Sequence, residues 1–586
     1  MIEIVRENWM GRIASYRSEQ LELGTPEVLY VSCKGVEPPS SARAFVSGDA
    51  PLSEGERNVL TLLSSRFFER TTHLGPGVDP GFRGADVAAT EENDLPSIFS
   101  SLEFDRTGDI VPVGDALLLT REPKRFANFF ASLRERVGPG KLIYAPGVAD
   151  PLNLALLCYF GVDLVDSYGT MIRSSMGQVI LNGRVMLSGS EELDRIAGMG
   201  KNPGREAILK HNLRQLESEL AVVRDAIREG TLRHLVELRV RHAAWMVEAL
   251  RFADLEEFRS FEKWTPTSGP PFLASGKESL WRPDIRRYRE RIETRYIPPE
   301  SADVLLLLPC SARKPYSKSR THRMFREAVR NSGIAPSVHE VIVTSPLGIV
   351  PRELEAAYPA QQYDIPVTGH WDEDEKNIAR NMLGGLLSRR MYPRIVAHID
   401  EEWGFLREML EKVGAVRTGG ESVTKKENLE RLTKTLCSLR DDIKNPGWNL
   451  RTIEEIRSIA SYQFGDAWKP LLEGAEVRGG FPMVRVVKDG AQLCSLVPDK
   501  GSLALTLEGG EALSRSGKYG VEIDDFAPKT NIFAIGVKGA TEEIRSGDEV
   551  YVHHAGEVRA VGTARMNGIS MASLQRGEAV HIRHHR

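Results

Sequence analysis

Val304-Leu305-Leu306-Leu307-Leu308-Pro309-Cys310-Ser311-Ala312-Arg313-Lys314-Pro315-Tyr316-Ser317-Lys318-Ser319-Arg320-Thr321-His322 joins an apolar run to a loop crowded with reactive side chains. The run is short enough for a buried strand. Downstream, Met324, Phe325, Ala328 and Val329 recur at helical spacing, which predicts a helix starting near Thr321. Cys310 therefore falls at the carboxyl end of a strand, in a loop that feeds a helix N-terminus. Open α/β sheets place their ligands in that kind of crevice. Arg313, Lys314, Lys318, Arg320 and the helix N-terminus are all expected to lower the thiol pKa. A structural cysteine would call for apolar neighbours instead. The bland alternative is a chance polar loop.

Working outward, residues 301 to about 440 read as one α/β unit. Strands are expected at 303–308, 339–344 and 394–399, and helices at 321–331, 373–388 and 404–413. The loop from Thr344 to Glu355 leaves the second strand, and parallel neighbours would bring it to the same sheet edge as Cys310. Ser345, Arg352, Glu353, Tyr363, Asp364 and His370 are thus candidates for the other wall of a pocket. Glu353 and Asp364 would suit a substrate that carries an amine. Taken singly, each of these is more often a turn or cap residue.

The whole chain of 586 residues is too long for one core and predicts about three to four domains. Its 41% hydrophobic and 27% charged residues are those of an ordinary globular protein. No apolar run approaches membrane-spanning length and the start lacks the plan of a signal peptide, so no membrane and a cytoplasmic setting are expected. Five cysteines lie far apart without a C-x-x-C pair, against a disulfide framework or a thiolate metal site. With a net charge of only −4, nucleic-acid binding would have to come from local basic patches.

Residues 1–260 alternate strand and helix patterns. Strands are expected at Val28 to Val31, Ala116 to Thr120, Leu142 to Ala145 and Val162 to Val165. Helices are expected at Pro123 to Val137 and Leu152 to Phe160. That alternation implies parallel strands, in a barrel or an open sheet. Asp163 and Asp166 end one strand, where barrel enzymes keep catalytic groups. Residues 261–300 form a linker or helical segment. Within it, six arginines and three aromatics from Trp281 to Tyr296 could grip phosphates and stack on unpaired bases, or could simply form a solvated helix. A small α+β domain is expected at 446–510. Residues 514–586 alternate short strands and turns, as a small β-barrel would, and end in a basic tail, His581 to Arg586.

The Cys310 segment resembles the archaeosine synthase family, the archaeal paralogues of tRNA-guanine transglycosylase (TGT). Pro309, Cys310, Lys314, Pro315, Tyr316, Ser319 and His322 match every fixed position of the family pattern PC-x3-KPY-x2-S-x2-H. The C-terminal segment resembles a PUA domain, an RNA-binding module. Asp166 occupies the place of the transglycosylase nucleophile, and His211 that of a zinc-binding histidine. The three cysteines that would complete a zinc site are missing between Gly183 and Lys210, so no metal is expected and base exchange at Asp166 is in doubt.

The resemblance implies a multidomain α/β chain. Its parts would be a TGT-like (β/α) barrel-type domain at 1–260, the Cys310 domain at 301–440, the small α+β domain and the PUA barrel. It implies an enzyme of archaeosine biosynthesis that adds the amine of free lysine to the nitrile of 7-cyano-7-deazaguanine (preQ0) at position 15 of the tRNA D-loop. No cofactor is expected in this chain, because a partner subunit would supply the radical-SAM chemistry that follows. The expected partners are preQ0-containing tRNA, free lysine and that subunit, with a homodimer left open. Cys310 would act as nucleophile, with Lys314 and His322 as proton-transfer groups. Tyr316, Ser319, Asp166, Ser345, Arg352 and Glu353 would contact substrate. The competing readings are a motif that only binds lysine, a base-exchanging transglycosylase and a non-catalytic tRNA-binding subunit.

Overall fold

In the computed structural model, residues 2–17, 22–31, 109–114, 116–201, 203–366, 369–481 and 483–586 are described, with Pro39, Ala42 and the backbone of 45–47 and 59–61. Cys33 lies outside them. The chain divides into two compact units. One comprises Met1–Pro266, Phe533–Val537 and Met566–Ala579; the other comprises Thr267–Ile532, Lys538–Arg565 and Val580–Arg586. No helix among the described residues is long and apolar enough to cross a membrane.

The second unit holds the Cys310 segment. Val304–Pro309 is the central strand of a five-stranded sheet ordered Gly348–Pro351, Val338–Thr344, Val304–Pro309, Arg394–Ala397, Val416–Arg417. The central strand is buried along its whole length and pairs in parallel with both neighbours. That is the burial expected of parallel strands covered on both faces. The chain leaves the central strand for one neighbour and reaches the other later, so the end of Val304–Pro309 is the topological switch point of the sheet. The helix Arg320–Asn331 follows, as the apolar spacing predicts, with Ser319 as its N-cap.

The arginine-rich stretch is not a solvated face. Within the helix Pro283–Thr294, Arg287, Arg289 and Arg291 are buried, and so is the N-cap Arg282. Arg282 pairs with Asp284 at 3.0 Å and lies 3.9 Å over the Phe272 ring. Arg289 donates to the carbonyls of Leu280 and Pro346. These guanidiniums are spent inside the unit, which overturns their reading as a phosphate grip. The basic tail is exposed but held in place by pairing. Glu578–His585 is a strand paired with Glu557–Ala564, Arg583 pairs with Glu549, and Arg586 pairs with Glu557 and Glu511. Glu557–Ala564 pairs in turn with Glu549–His554, within a six-stranded sheet.

The first unit contains six parallel strands in the order Val59–Thr61, Phe45–Ser47, Glu27–Val31, Leu164–Asp166, Leu142–Ala145, Ile110–Pro112. Among the described residues the ladder does not close on itself. The strand expected at Ala116 to Thr120 is instead a helix, Ala116–Leu119, and Ile110–Pro112 takes its place in the sheet. Ala and Leu are strong helix formers, which periodicity over so short a run does not register. The helix Pro123–Val137 forms where expected and buries Phe126, Phe129 and Phe130.

Asp163 holds this unit together. Its oxygens accept from Arg12 Nε at 2.7 Å and Arg134 Nη2 at 2.7 Å, and from the Ile143 amide at 2.8 Å. All three charged side chains are buried. Burial works to raise the Asp163 carboxyl, but Arg12 and Arg134 prevail and hold it below the usual carboxylate range. Asp163 is therefore a structural clasp and not a catalytic group. Asp163→Asn should destabilise the protein by about 3–5 kcal/mol, because two buried guanidiniums lose their counter-charge. Denaturant unfolding followed by circular dichroism checks this. A depressed folded pKa means the stabilisation is complete above the ordinary aspartate value of about 3.9 and fades as pH falls through the folded value. Above that window the wild-type and variant curves should run parallel in pH.

Candidate active site

Cys310 follows directly on the strand pair Pro309↔Val343. One further step in that register sets Thr344 beside Cys310, and the Thr344 hydroxyl bonds the thiol and favours its ionised form. Two tyrosines close over this point. Tyr316 comes from the motif loop and is fully buried. Tyr363 is fixed because its short strand Tyr363–Asp364 pairs with Phe272–Leu273. The Tyr316 and Tyr363 hydroxyls lie 2.5 Å apart, and the Thr344 hydroxyl is 2.7 Å from Tyr363 and 3.3 Å from Tyr316. Burial pushes both phenols above their ordinary values, so they are neutral hydrogen-bonding groups.

Lys314 completes the cluster. Its Nζ makes no hydrogen bond and lies 4.0 Å from the centroid of the Tyr363 ring, over its face. Desolvation lowers the amine below the usual lysine range, while Cys310 and Asp364 pull it back up. Burial raises the thiol, against the opposing pull of Thr344 and Lys314. This corrects the expected thiol depression: burial outweighs the nearby cations. The neutral thiol and the amine eased toward neutrality feel each other's charge, and a proton can pass between them once a hydrogen bond joins them.

The other candidates do not share in this hydroxyl network through their side chains, although the His322 ring lies 5.2 Å from that of Tyr316. His322 is fully buried and its Nδ1 accepts from Arg352 Nη2 at 2.8 Å. Its Nε2 is turned to the Pro309 carbonyl without a hydrogen bond of normal geometry. Burial and the Arg352 charge push its pKa down to about 2, so it stays neutral and is a poor proton carrier. Ser319 accepts the His322 amide proton as a helix cap. Ser345 donates to Glu375 at 2.6 Å. Arg352 is bound to Glu340 and Glu355 at 2.6 and 2.9 Å. Glu353 is buried and accepts from Tyr296 at 2.6 Å. Each has a supporting role within the wall, in place of the substrate contact expected of it. Asp364 and His370 are exposed.

In the first unit, Asp166 is fully buried and accepts from Tyr144 at 2.7 Å and from the amides of Gly147 and Tyr168. Its oxygens are occupied, which corrects its reading as a substrate contact in favour of a turn-capping carboxylate. His211 has one nitrogen 2.8 Å from the Ile180 carbonyl and the other 3.0 Å from that of Ala197, so it braces its helix. Thr344 escaped sequence reading. The parallel register between the two apolar runs, extended by one residue, was the signal that could have found it.

A family model described as a domain of unknown function (DUF5591) matches residues 285–436, and a PUA domain model matches residues 520–586. The archaeosine synthase subunit alpha of Methanosarcina acetivorans is 38% identical, over 85% of this chain and 83% of that protein. The same-named protein of Thermoplasma acidophilum is 34% identical, over 82% of this chain and 89% of its own length. The archaeosine synthase of Haloferax volcanii is 34% identical, with 93% of each chain covered. Similarity of this depth along most of three relatives means that the chain belongs to the archaeosine synthase family.

Proposed function

We propose that this chain modifies tRNA in archaeosine formation by joining the amine of free lysine to the nitrile of preQ0 at position 15. The observation that carries the reading is the half-buried pair of Cys310 and Lys314 beside the Tyr316, Tyr363 and Thr344 hydroxyls. A nitrile carbon is a weak electrophile toward a protonated amine. A sulfur nucleophile with a matched proton donor removes that obstacle. In the first step the Cys310 proton passes to Lys314 and the thiolate bonds to the nitrile carbon. One carbon–nitrogen π bond becomes a lone pair on nitrogen, which takes a proton from the Lys314 ammonium and gives a thioimidate. In the second step the neutral amine of free lysine bonds to that carbon. The carbon–sulfur bond breaks and the departing thiolate recovers a proton from the incoming amine, leaving an amidine.

The relatives named subunit alpha support a second subunit acting on this product, in our reading with radical-SAM chemistry. The PUA match supports tRNA as the partner. Base exchange is the weaker reading, because every approach to the Asp166 oxygens is met by Tyr144, Gly147 or Tyr168.

Incubating the protein with preQ0-containing tRNA and lysine, then weighing the nucleosides by mass spectrometry, tests the reaction. A lysine adduct is expected; unchanged preQ0 with full tRNA binding would leave only a binding subunit. Cys310→Ser should reduce the adduct to background with tRNA affinity within about twofold of wild type, since a neutral hydroxyl is a far weaker nucleophile than a thiolate. Lys314→Met should slow the reaction by about 10²–10⁴-fold, the usual worth of a positioned acid–base group. The thiol is raised, so Cys310 alkylation by iodoacetamide should accelerate as pH climbs past the ordinary cysteine range. Without the Lys314 charge, that rise should move to still higher pH in Lys314→Met.

A further inference from the structure

A well-formed groove of the second unit does not include Cys310 in its lining. It is a groove of about 940 Å³ that starts at Pro315 and Ser317 and runs along the helix Arg320–Asn331 to Trp448. Its charges are sorted by depth. On the floor, Arg352 bridges Glu340 and Glu355, Arg451 pairs with Glu455 at 2.9 Å, and Tyr296 bonds Glu353. At the rim, Glu327 sits within 4.0 Å of Arg330. Lys318, Arg323 and Arg326 remain. All three are exposed, line the groove and have no side-chain partner among the described residues. Arg323 and Arg326 are three apart on one helix and so point the same way. Against these cations the groove offers one exposed carboxylate without an ion pair among the described residues, Asp499. The lining also includes two aromatic rings open to solvent, Trp448 at 60% and Phe481 at 49% exposure.

Unpaired guanidiniums and uncovered aromatic rings lining one groove are the parts from which proteins build sites for unpaired nucleotides. The cations take the phosphates and each ring takes the face of a base. A duplex keeps its base faces stacked and could use only the cations. The geometry points to this groove as a docking channel for a single-stranded RNA segment that lies next to the modified nucleotide, held by Lys318, Arg323 and Arg326 and stacked on Trp448. This inference rests on the reading that the chain acts on tRNA. It supplies a grip that neither the buried Arg282–Arg291 stretch nor the internally paired Arg583 and Arg586 can give. The motif loop runs straight into this helix through the Ser319 cap, so a strand held here is tethered beside the thiol loop.

The test measures the affinity of the full chain for an unmodified tRNA transcript across a salt series, which needs no turnover. Arg323→Glu/Arg326→Glu should weaken binding at least tenfold at low salt and flatten the salt slope by about two phosphate contacts. Trp448→Ala should weaken it about tenfold at every salt concentration, since stacking releases no counterions. A blunt RNA duplex should feel the arginine changes but not Trp448→Ala. All three residues are exposed, and Arg323→Gln/Arg326→Gln with an unchanged melting curve guards against misfolding. Affinities within twofold of wild type for both variants would overturn the proposal. So would unchanged tRNA binding with loss of an acidic peptide ligand, which would make the groove a protein-docking site. If the variants lose tRNA but the wild type makes no lysine adduct, the groove stands and the proposed reaction falls. If the adduct forms and tRNA affinity is untouched, the reverse holds.

Discussion

The Arg352 guanidinium is the constraint on which the Cys310 site depends. It binds Glu340 on the strand beside the thiol strand, Glu355 in the loop beyond, and His322 on the helix that follows the motif. Glu355 in turn accepts the Ser317 amide at 2.9 Å. One side chain thus ties a strand, two loops and a helix around the turn that carries Lys314 and Tyr316. Burial taxes the Arg352 charge, yet the two carboxylates prevail and hold it firmly protonated. Removing a partner from a buried cluster of this kind typically costs about 3–5 kcal/mol, far more than a surface pair. His322 follows from the same logic. Next to a permanent cation it can only be a neutral acceptor.

At the thiol itself, exclusion of water decides more than charge does. The motif places four basic residues near Cys310 in sequence, but only Lys314 bears on it, and that contact is outweighed by desolvation. The same desolvation lowers Lys314. Both shifts move the pair toward its neutral form, so the thiolate that the proposed reaction needs forms as Lys314 takes up the proton. The tyrosine and threonine hydroxyls can donate or accept, so they can follow charge as it moves from sulfur to nitrogen without becoming charged.

Much of the second α/β unit was legible in the sequence because its signals are local. The strands at 304–309, 338–344 and 394–397 and the helix from 320 differ from expectation by a residue or two. The run of leucines before Cys310 can be little other than a doubly covered strand. What composition does not reveal is which charges are spent inside. Arg282, Arg289, Arg352, His322 and Glu353 have the residue types of a binding site, yet the fold engages each of them with internal partners. Thr344 was hidden for the converse reason: a threonine at a strand end carries no distinguishing pattern, and only the pairing of two strands gives it a neighbour. Asp163 and Asp166 flank one short strand, Leu164–Asp166, and both are satisfied internally.

The central strand Val304–Pro309 pairs with partners that come later in the chain, Val304 meeting Val338 on one side and Arg394 on the other. Parallel pairings of this span form slowly, because the loop must close before any contact rewards it. During synthesis the segment with Cys310 emerges well before Arg394–Ala397 exists. In that interval the thiol lacks the burial that raises it in the finished fold, and it carries the ordinary reactivity of an exposed cysteine. The nascent thiol is therefore more open to oxidation than the mature one, whose thiolate form the finished fold suppresses.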